Sequence, residues 1–286
     1  MDKNNIKTIG VIGAGTMGSG IASVSALSGY RTIVHDVFSE ALDKAEKNIL
    51  KGYDKLSEKG KINEDKKNNS VSNLIFTQEI DQISDCDIII EAALEDLKLK
   101  RELYKKLDEL TSDGCILATN TSSFSITAIS SVVKDKTKVI GMHFFNPANI
   151  MKLVEIIKGE FTSDETVEKV FTLTKSLGKT PVMCKDTPAF IVNRVARSFY
   201  GEALKILGES GVSVETIDKI MKTEGGFAMG PFELMDLIGI DVNFSVTKSV
   251  YEAFFYDQKY KPSPIQQKMV EAGLLGRKTS QGFYKY

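Results

Sequence analysis

The chain has 286 residues, with 37 Lys and Arg against 38 Asp and Glu, for a formal net charge of −1. That balance excludes a protein that holds nucleic acid through a globally basic surface. A composition of 42% hydrophobic and 26% charged residues excludes a disordered chain, and the length suits about two domains. The three cysteines, Cys86, Cys115 and Cys184, are too few and too scattered for a disulfide framework or a zinc knuckle. They read as reduced thiols, which points to the cytoplasm. Residues 1–5 are polar and lack the profile of a signal peptide. No run of about 18 apolar residues occurs, so no membrane span is expected. His35 and His143 are the only histidines, and a base working near neutral pH is one of them or a shifted Lys, Cys or carboxylate.

In chain order, short β-branched runs at residues 7–12, 31–36, 87–91, 116–120 and 138–143 alternate with helical patterns, notably at 39–59 and 96–110. This alternation predicts a parallel sheet covered by helices on both faces. Apolar runs at 153–157 and 181–185 flank a helical stretch at 164–177 and extend the pattern. All six prolines lie at or beyond Pro147, and after Pro188 the β-branched runs give way to helix. At Asp186-Thr187-Pro188, Asp or Thr can cap a helix while Pro takes its first turn. Val192, Val195, Phe199, Ala203 and Ile206 form one stripe of that helix, and Ala196, Tyr200, Leu204 and Leu207 a second. Two stripes predict a helix buried on more than one side, stopped by Gly208 and Gly211. The chain therefore divides into residues 1–186 and an all-helical region, 187–286. Within the latter, Phe227, Met229, Phe232, Met235 and the run at 251–256 read as exposed apolar residues, the mark of an oligomer interface.

Gly13-Ala14-Gly15-Thr16-Met17-Gly18 directly follows the first strand and opens an apolar helix. Glycine turns are common, but here strand, turn, helix and a second strand ending in Asp36 occur together, with Asp36 18 residues after Gly18. The pattern predicts a Rossmann-type, doubly wound α/β sheet that binds a dinucleotide. Gly13 makes the tight turn, Gly15 lets the backbone approach the pyrophosphate, and Gly18 packs helix on strand. The helix N-terminus at Thr16 and Met17 offers N–H groups to the phosphates. Asp36 can accept from the ribose hydroxyls and repels a 2′-phosphate, and no Arg follows it in Val37-Phe38-Ser39, so NAD is expected over NADP. His35 reads as a strand residue near the adenine side.

His143 ends the strand at 138–143, and ligands of open parallel sheets bind beyond the strands' carboxyl ends. Glu155 follows 12 residues later inside the apolar run Leu153-Val154-Glu155-Ile156-Ile157. A lone acid there either faces solvent or needs a partner; pairing with His143 removes the cost of burying it and fixes the imidazole tautomer. Asn120-Thr121-Ser122-Ser123 closes another strand, and Asn120 and Ser122 are candidates both for substrate hydrogen bonds and for helix caps. Asn193, in the middle of the apolar helix after Pro188, is a buried amide that needs partners, which a ligand or an active-site group could provide.

Those segments, with Gly141-Met142-His143-Phe144-Phe145-Asn146-Pro147, Asp186-Thr187-Pro188-Ala189-Phe190-Ile191-Val192-Asn193-Arg194, Gly276-Arg277-Lys278 and Gly282-Phe283-Tyr284, resemble the L-3-hydroxyacyl-CoA dehydrogenase family over essentially the full length. Within it they most resemble the short bacterial 3-hydroxybutyryl-CoA dehydrogenases. Ser198 departs from the Ala or Pro of the family's helix signature. The resemblance implies that His143 is the base, Glu155 its partner, and Ser122 and Asn193 the ligands of the reacting oxygen. It also implies that Ala92, Glu95, Lys100, Asn120, Ser122, His143, Asn146 and Lys278 line the NAD site, that the substrate is an acyl-CoA thioester, and that the chain forms a homodimer or higher homo-oligomer. A related NAD-dependent dehydrogenase of a non-CoA hydroxy acid, or a non-catalytic NAD-binding module, stays open from the residues alone.

Lys44, Lys47, Lys51, Lys55 and Lys59 recur at helical spacing, opposite Leu42, Ala45, Ile49, Tyr53 and Leu56. The stripe reads either as a solvated face or as a landing strip for the phosphates of coenzyme A; the resemblance favours the second, with Lys51, Lys55 and Lys59 on the substrate.

Overall fold

The computed structural model describes residues 6–286; the reading made above for residues 1–5 lies outside them. Two compact units follow one another, the first ending at Thr187 and the second spanning Pro188–Tyr286.

In the first unit, β1 (Thr8–Ile12), α1 (Thr16–Leu27), β2 (Arg31–His35), α2 (Ser39–Glu58), α3 (Glu64–Ser72), β3 (Leu74–Thr77), β4 (Ile88–Glu91), α4 (Leu97–Leu110), β5 (Ile116–Thr119), α5 (Ile126–Ser130), β6 (Val139–Phe144), β7 (Leu153–Lys158), α6 (Asp164–Ser176) and β8 (Thr180–Lys185) build one sheet. Its strand order is β3-β2-β1-β4-β5-β6-β7-β8, so the chain starts at the centre, winds out to one edge and returns across β1 to the other. The central strands are buried throughout, as parallel strands covered on both faces must be. Their apolar side chains join those of α1, α2 and α6 in one core around Ile9, Val11, Ile88, Ile90 and Ile140.

The sheet is parallel with one exception. β7 runs antiparallel to β6, which differs from the simple extension of the pattern expected above. The connection at 145–152 is too short for the crossover that a parallel partner requires. The pair formed by α3 and β3, not anticipated above, adds the edge strand next to β2.

In the second unit, α7 (Val192–Ser210), α8 (Val214–Thr223), α9 (Pro231–Ile238), α10 (Ile240–Ala253) and α11 (Pro264–Glu271) enclose a core of Tyr200, Ala203, Leu204, Ile217, Phe232, Met235 and Ile240. Two expectations are corrected here. Phe232 and Met235 are wholly buried in this core, whereas Phe227, Phe255 and Tyr256 are exposed. α7 buries one side only, around Arg197, Tyr200, Ala203 and Leu204, and leaves Val195 and Ile206 in solvent. Gly211, left-handed at φ 66°, ends α7; Gly208 lies within it.

The expected cap is also reassigned. Asp186 accepts from Ile126 N, Thr127 N and the Ser125 hydroxyl, so it serves α5 of its own unit. α7 begins later, at Val192, after Ala189 and Phe190 turn the chain at positive φ.

Candidate active site

The glycine turn is built as a close approach between elements. A Cβ at Gly18 would overlap the Gly13 carbonyl, so only glycine lets α1 lie this near β1. At Gly15, the N-cap of α1, a Cβ would meet nothing within 4 Å. The backbone is open there to a pyrophosphate, beside the first N–H groups of α1 at Thr16 and Met17. Asp36 ends the β2 side of the cradle, its carboxylate accepting from Ala14 N at 2.7 Å and Phe38 N at 3.0 Å. These main-chain donors fix the carboxylate in place and leave its remaining lone pairs for ribose hydroxyls. The residues thus fit a dinucleotide with a free 2′-hydroxyl. His35 is buried at the end of β2, and burial holds its imidazole below the ordinary value.

On the other side of the switch point, β6 and β7 place His143 directly opposite Glu155 in register. His143 Nδ1 and Glu155 Oε2 stand 2.7 Å apart, with the residues 6% and 1% exposed. The antiparallel turn of the sheet is therefore what makes this pair. Phe145 packs on the imidazole at 4.6 Å between ring centroids. Asn120, just past β5, accepts from Phe144 N at 2.8 Å and ties the ends of β5 and β6 together.

The carboxyl ends of β4 and β5 carry a second polar network. Glu95 accepts from Ser122 N at 3.1 Å and the Ser123 hydroxyl at 2.8 Å, and also binds the Thr121 hydroxyl. One carboxylate so shapes the turn that presents Ser122. Burial raises the Glu95 pKa, but Lys100 at 3.2 Å and the Thr121 and Ser123 hydroxyls outweigh it and hold the group below its usual range. Lys100, almost fully buried, also meets Glu91 at 2.6 Å. Glu91, wholly buried, accepts in addition from Ala93 N and the Thr119 hydroxyl. Glu91 and Thr119 escaped the sequence reading, and Thr121 and Ser123 entered it only as members of the segment Asn120-Thr121-Ser122-Ser123, with no role of their own; the acid ending the strand Ile88–Glu91 was the available signal.

Ala92 leads from β4 into this network, with its N–H on Ile12 O at 2.8 Å. Asn146 is exposed in the turn after β6. In the second unit, Asn193 is half-buried in the first turn of α7, not in mid-helix, and its carbonyl accepts from Arg197 Nε at 3.3 Å. Lys278 pairs with Asp241 at 2.6 Å. Lys44, Lys47, Lys51, Lys55 and Lys59 are all exposed along α2. A pocket of about 430 Å³ lies between α1 and α2, lined by Gly15, Thr16, Lys44, Asn48 and Gly52 among others. Lys44 is the one stripe residue on its wall.

The glycine cradle, its acid at the end of β2 and the switch point between β1 and β4 define a Rossmann-type NAD-binding oxidoreductase. A family model described as 3-hydroxyacyl-CoA dehydrogenase, NAD binding domain, matches residues 8–187, and one described as 3-hydroxyacyl-CoA dehydrogenase, C-terminal domain, matches residues 190–286. The chain belongs to the 3-hydroxyacyl-CoA dehydrogenase family. It is 44% identical over 282 residues to the 3-hydroxyadipyl-CoA dehydrogenase of Escherichia coli, covering 99% of this chain but only 59% of that protein's length. It is also 44% identical to the 3-hydroxybutyryl-CoA dehydrogenase of Clostridioides difficile, covering 97% of this chain and 99% of the relative. Among solved structures, (S)-3-hydroxybutyryl-CoA dehydrogenase from Ralstonia eutropha superposes with a TM-score of 0.95 at 40% identity, covering 99% of each chain.

Proposed function

We propose that the chain interconverts 3-hydroxybutyryl-CoA and acetoacetyl-CoA with NAD as the redox partner, His143 serving as general base and acid. The observation that carries this reading is the buried His143–Glu155 pair, 2.7 Å apart, at the carboxyl end of β6. Two relatives of matching length and named activity support the four-carbon substrate.

Gly13, Gly15, Thr16, Met17, Gly18 and Asp36 would hold the adenine-side phosphates and ribose of NAD. Ala92, Glu95, Lys100, Asn120, Asn146 and Lys278 would line its nicotinamide side. When bound, NAD supplies a carbon that accepts hydride. His143 does the rest of the acid–base work. Its Nδ1–H donated to Glu155 leaves the basic lone pair on Nε2, which takes the hydroxyl proton as the C3 hydride departs. Glu155 stabilises the imidazolium that results, and in the reverse direction that imidazolium protonates the carbonyl oxygen. Ser122 and Asn193 donate to the oxygen as negative charge develops on it. The exposed lysines of α2, Lys51, Lys55 and Lys59 among them, would meet the coenzyme A phosphates.

On this reading residues 1–186 bind NAD, 187–286 carry substrate binding and dimerisation, and the enzyme works in the cytoplasm as a homo-oligomer. The exposed Phe227, Val242, Phe255 and Tyr256 supply apolar surface for the contact. Replacing His143 by Gln tests the mechanism. With acetoacetyl-CoA and NADH followed at 340 nm, kcat should fall by about 10²- to 10⁴-fold, the usual worth of a positioned acid–base group. Turnover within about tenfold of wild type, ~1.4 kcal/mol of barrier, would remove His143 from this role.

A further inference from the structure

The second unit contains a buried cation with no acid against it. Arg197, 5% exposed on α7, donates through Nη1 to Asn243 O at 2.9 Å and the Thr247 hydroxyl at 2.8 Å, and through Nε to Asn193 O at 3.3 Å. Its guanidinium carbon stands 4.9 Å from the centroid of the Tyr200 ring. Every one of these partners is neutral, and Nη2 has none among the described residues. A buried charge is ordinarily matched by an opposite one. Burial here pushes the guanidinium down to about 10.

The side chain lines a pocket of about 590 Å³ whose walls, Tyr200, Leu204, Tyr260, Pro262 and Ile265 among them, all belong to the second unit. That volume falls within the range of small-molecule sites. The floor of the pocket is the α7 face that carries Gly201, Leu204 and Gly208. Apart from proline, glycine is the residue least suited to a helix interior, and neither glycine is demanded by the chain's own packing. A Cβ at Gly201 would meet nothing within 4 Å, and one at Gly208 only Ile265 Cδ1 at 3.5 Å. The room is left open at the side of the unmatched cation. Lys205, Lys259 and Lys261 also line it; Lys205 is bound to Glu202 at 2.6 Å. The one lining carboxylate, Glu209, lies twelve residues along α7 from Arg197, about 18 Å at the helical rise.

We infer that this pocket binds a small organic monocarboxylate, its carboxylate on Arg197 Nη2 and its hydrocarbon body against Leu204 and Ile265. One open guanidinium corner suits a single negative charge, and the apolar walls suit a hydrocarbon tail. Isothermal titration of the full chain with hexanoate, hexan-1-ol and inorganic phosphate tests the assignment. Hexanoate should bind saturably, hexanol at least tenfold more weakly, and phosphate not at all. Arg197→Met should weaken hexanoate at least tenfold. Gly201→Leu, which grows into the pocket from a position with room for a side chain, should abolish binding while the circular dichroism and melting temperature hold, so the assignment stays testable even where Arg197→Met fails to fold. Absence of saturable hexanoate binding, equal binding of hexanol, or hexanoate binding that survives Gly201→Leu would overturn it. So would a fall in sedimentation coefficient on Gly201→Leu, which would make the pocket a contact between copies of the chain.

Discussion

The two units bury their acids in different company. In the first, Glu91 meets Lys100 at 2.6 Å and Glu155 meets His143 at 2.7 Å, each at the carboxyl end of a strand. In the second, Asp218 accepts from Phe232 N, Glu233 N and the Tyr284 hydroxyl, and Asp236 from Phe283 N, Tyr284 N and the Tyr286 hydroxyl. An acid ringed by N–H and O–H donors spends its lone pairs on them, and its work is to clasp chain segments together. An acid facing a titratable or mobile cation shares its charge with a group that chemistry can use. The motif Gly282-Phe283-Tyr284, which contributes to the family resemblance, turns out to be such a clasp. A Cβ at Gly282 would overlap the Asp236 carboxylate that holds the next two residues. Even the buried cation of the second unit, Arg197, follows its rule and meets only neutral acceptors.

The largest effect expected from this contrast is on the Glu91–Lys100 pair. Lys100→Met strands a wholly buried carboxylate, and breaking a buried ion pair from one side costs about 3–5 kcal/mol. The urea midpoint should fall accordingly, and Glu91→Gln added to Lys100→Met should recover much of the loss. A single variant within about 1 kcal/mol of wild type would show that Glu91 does not depend on its cation. Asp236→Asn should cost less, about 1–3 kcal/mol, because one acceptor becomes a donor that faces N–H groups. Its signature is faster amide exchange at Phe283 or Tyr284, whichever N–H then faces the Asn amide nitrogen, because the two use different carboxylate oxygens. Unchanged exchange at both would break the clasp reading.

A smaller, pH-dependent effect falls on Glu95. Its folded pKa lies below the unfolded value because Lys100, Thr121 and Ser123 outweigh burial. The unfolded chain therefore binds the proton first as pH drops. The stabilisation is present above the unfolded carboxylate pKa and is lost as pH falls through the folded one. Glu95→Gln should flatten the acid side of a plot of urea midpoint against pH. An acid limb identical to wild type would show that Glu95 contributes nothing to it.

What was legible in the residues was local. A strand, a glycine turn, a helix and an acid lie within one stretch, and the fold of that stretch depends on little else. The pairing of Glu155 was also readable, since an acid within an apolar strand has few ways to avoid the cost of burial. What escaped depends on distant partners. Asp186 looks like a cap for the helix that follows it, and only the folded chain brings Ser125, Ile126 and Thr127 to it. The direction of β7 is set by the length of its connection, not by its own alternation. α3 is polar over most of its length, and the four-residue β3 behind it is too short to carry a clear period. Phe232 and Met235 looked exposed because a small helical region holds many apolar residues, and the sequence alone does not say which of them pack on each other.

The smallest effect lies on the exposed face of α2, where charge meets solvent in place of a partner. Asp54, an acid that could balance the lysine stripe, is already bound by Lys67 at 2.8 Å. Among the described residues Lys51 and Lys55 form no ion pair, although Asp43 and Glu58 share their helix, on a chain whose net charge is −1. Lys44, on the same helix, reaches the wall of the pocket beside Gly15 and Thr16, so the stripe leads to the proposed site. Exposed charges of this kind act over about 10 Å at 0.1 M salt and less at higher salt. The double change Lys51→Glu and Lys55→Glu should therefore raise KM for acetoacetyl-CoA several-fold at low salt and leave kcat unchanged, with the effect shrinking as salt is added. An unchanged KM at low salt would reduce the stripe to a solvated helix face. An equal rise at all salt concentrations would instead mean that these lysines make short, desolvated contacts, and would place them with the buried charges of the first unit.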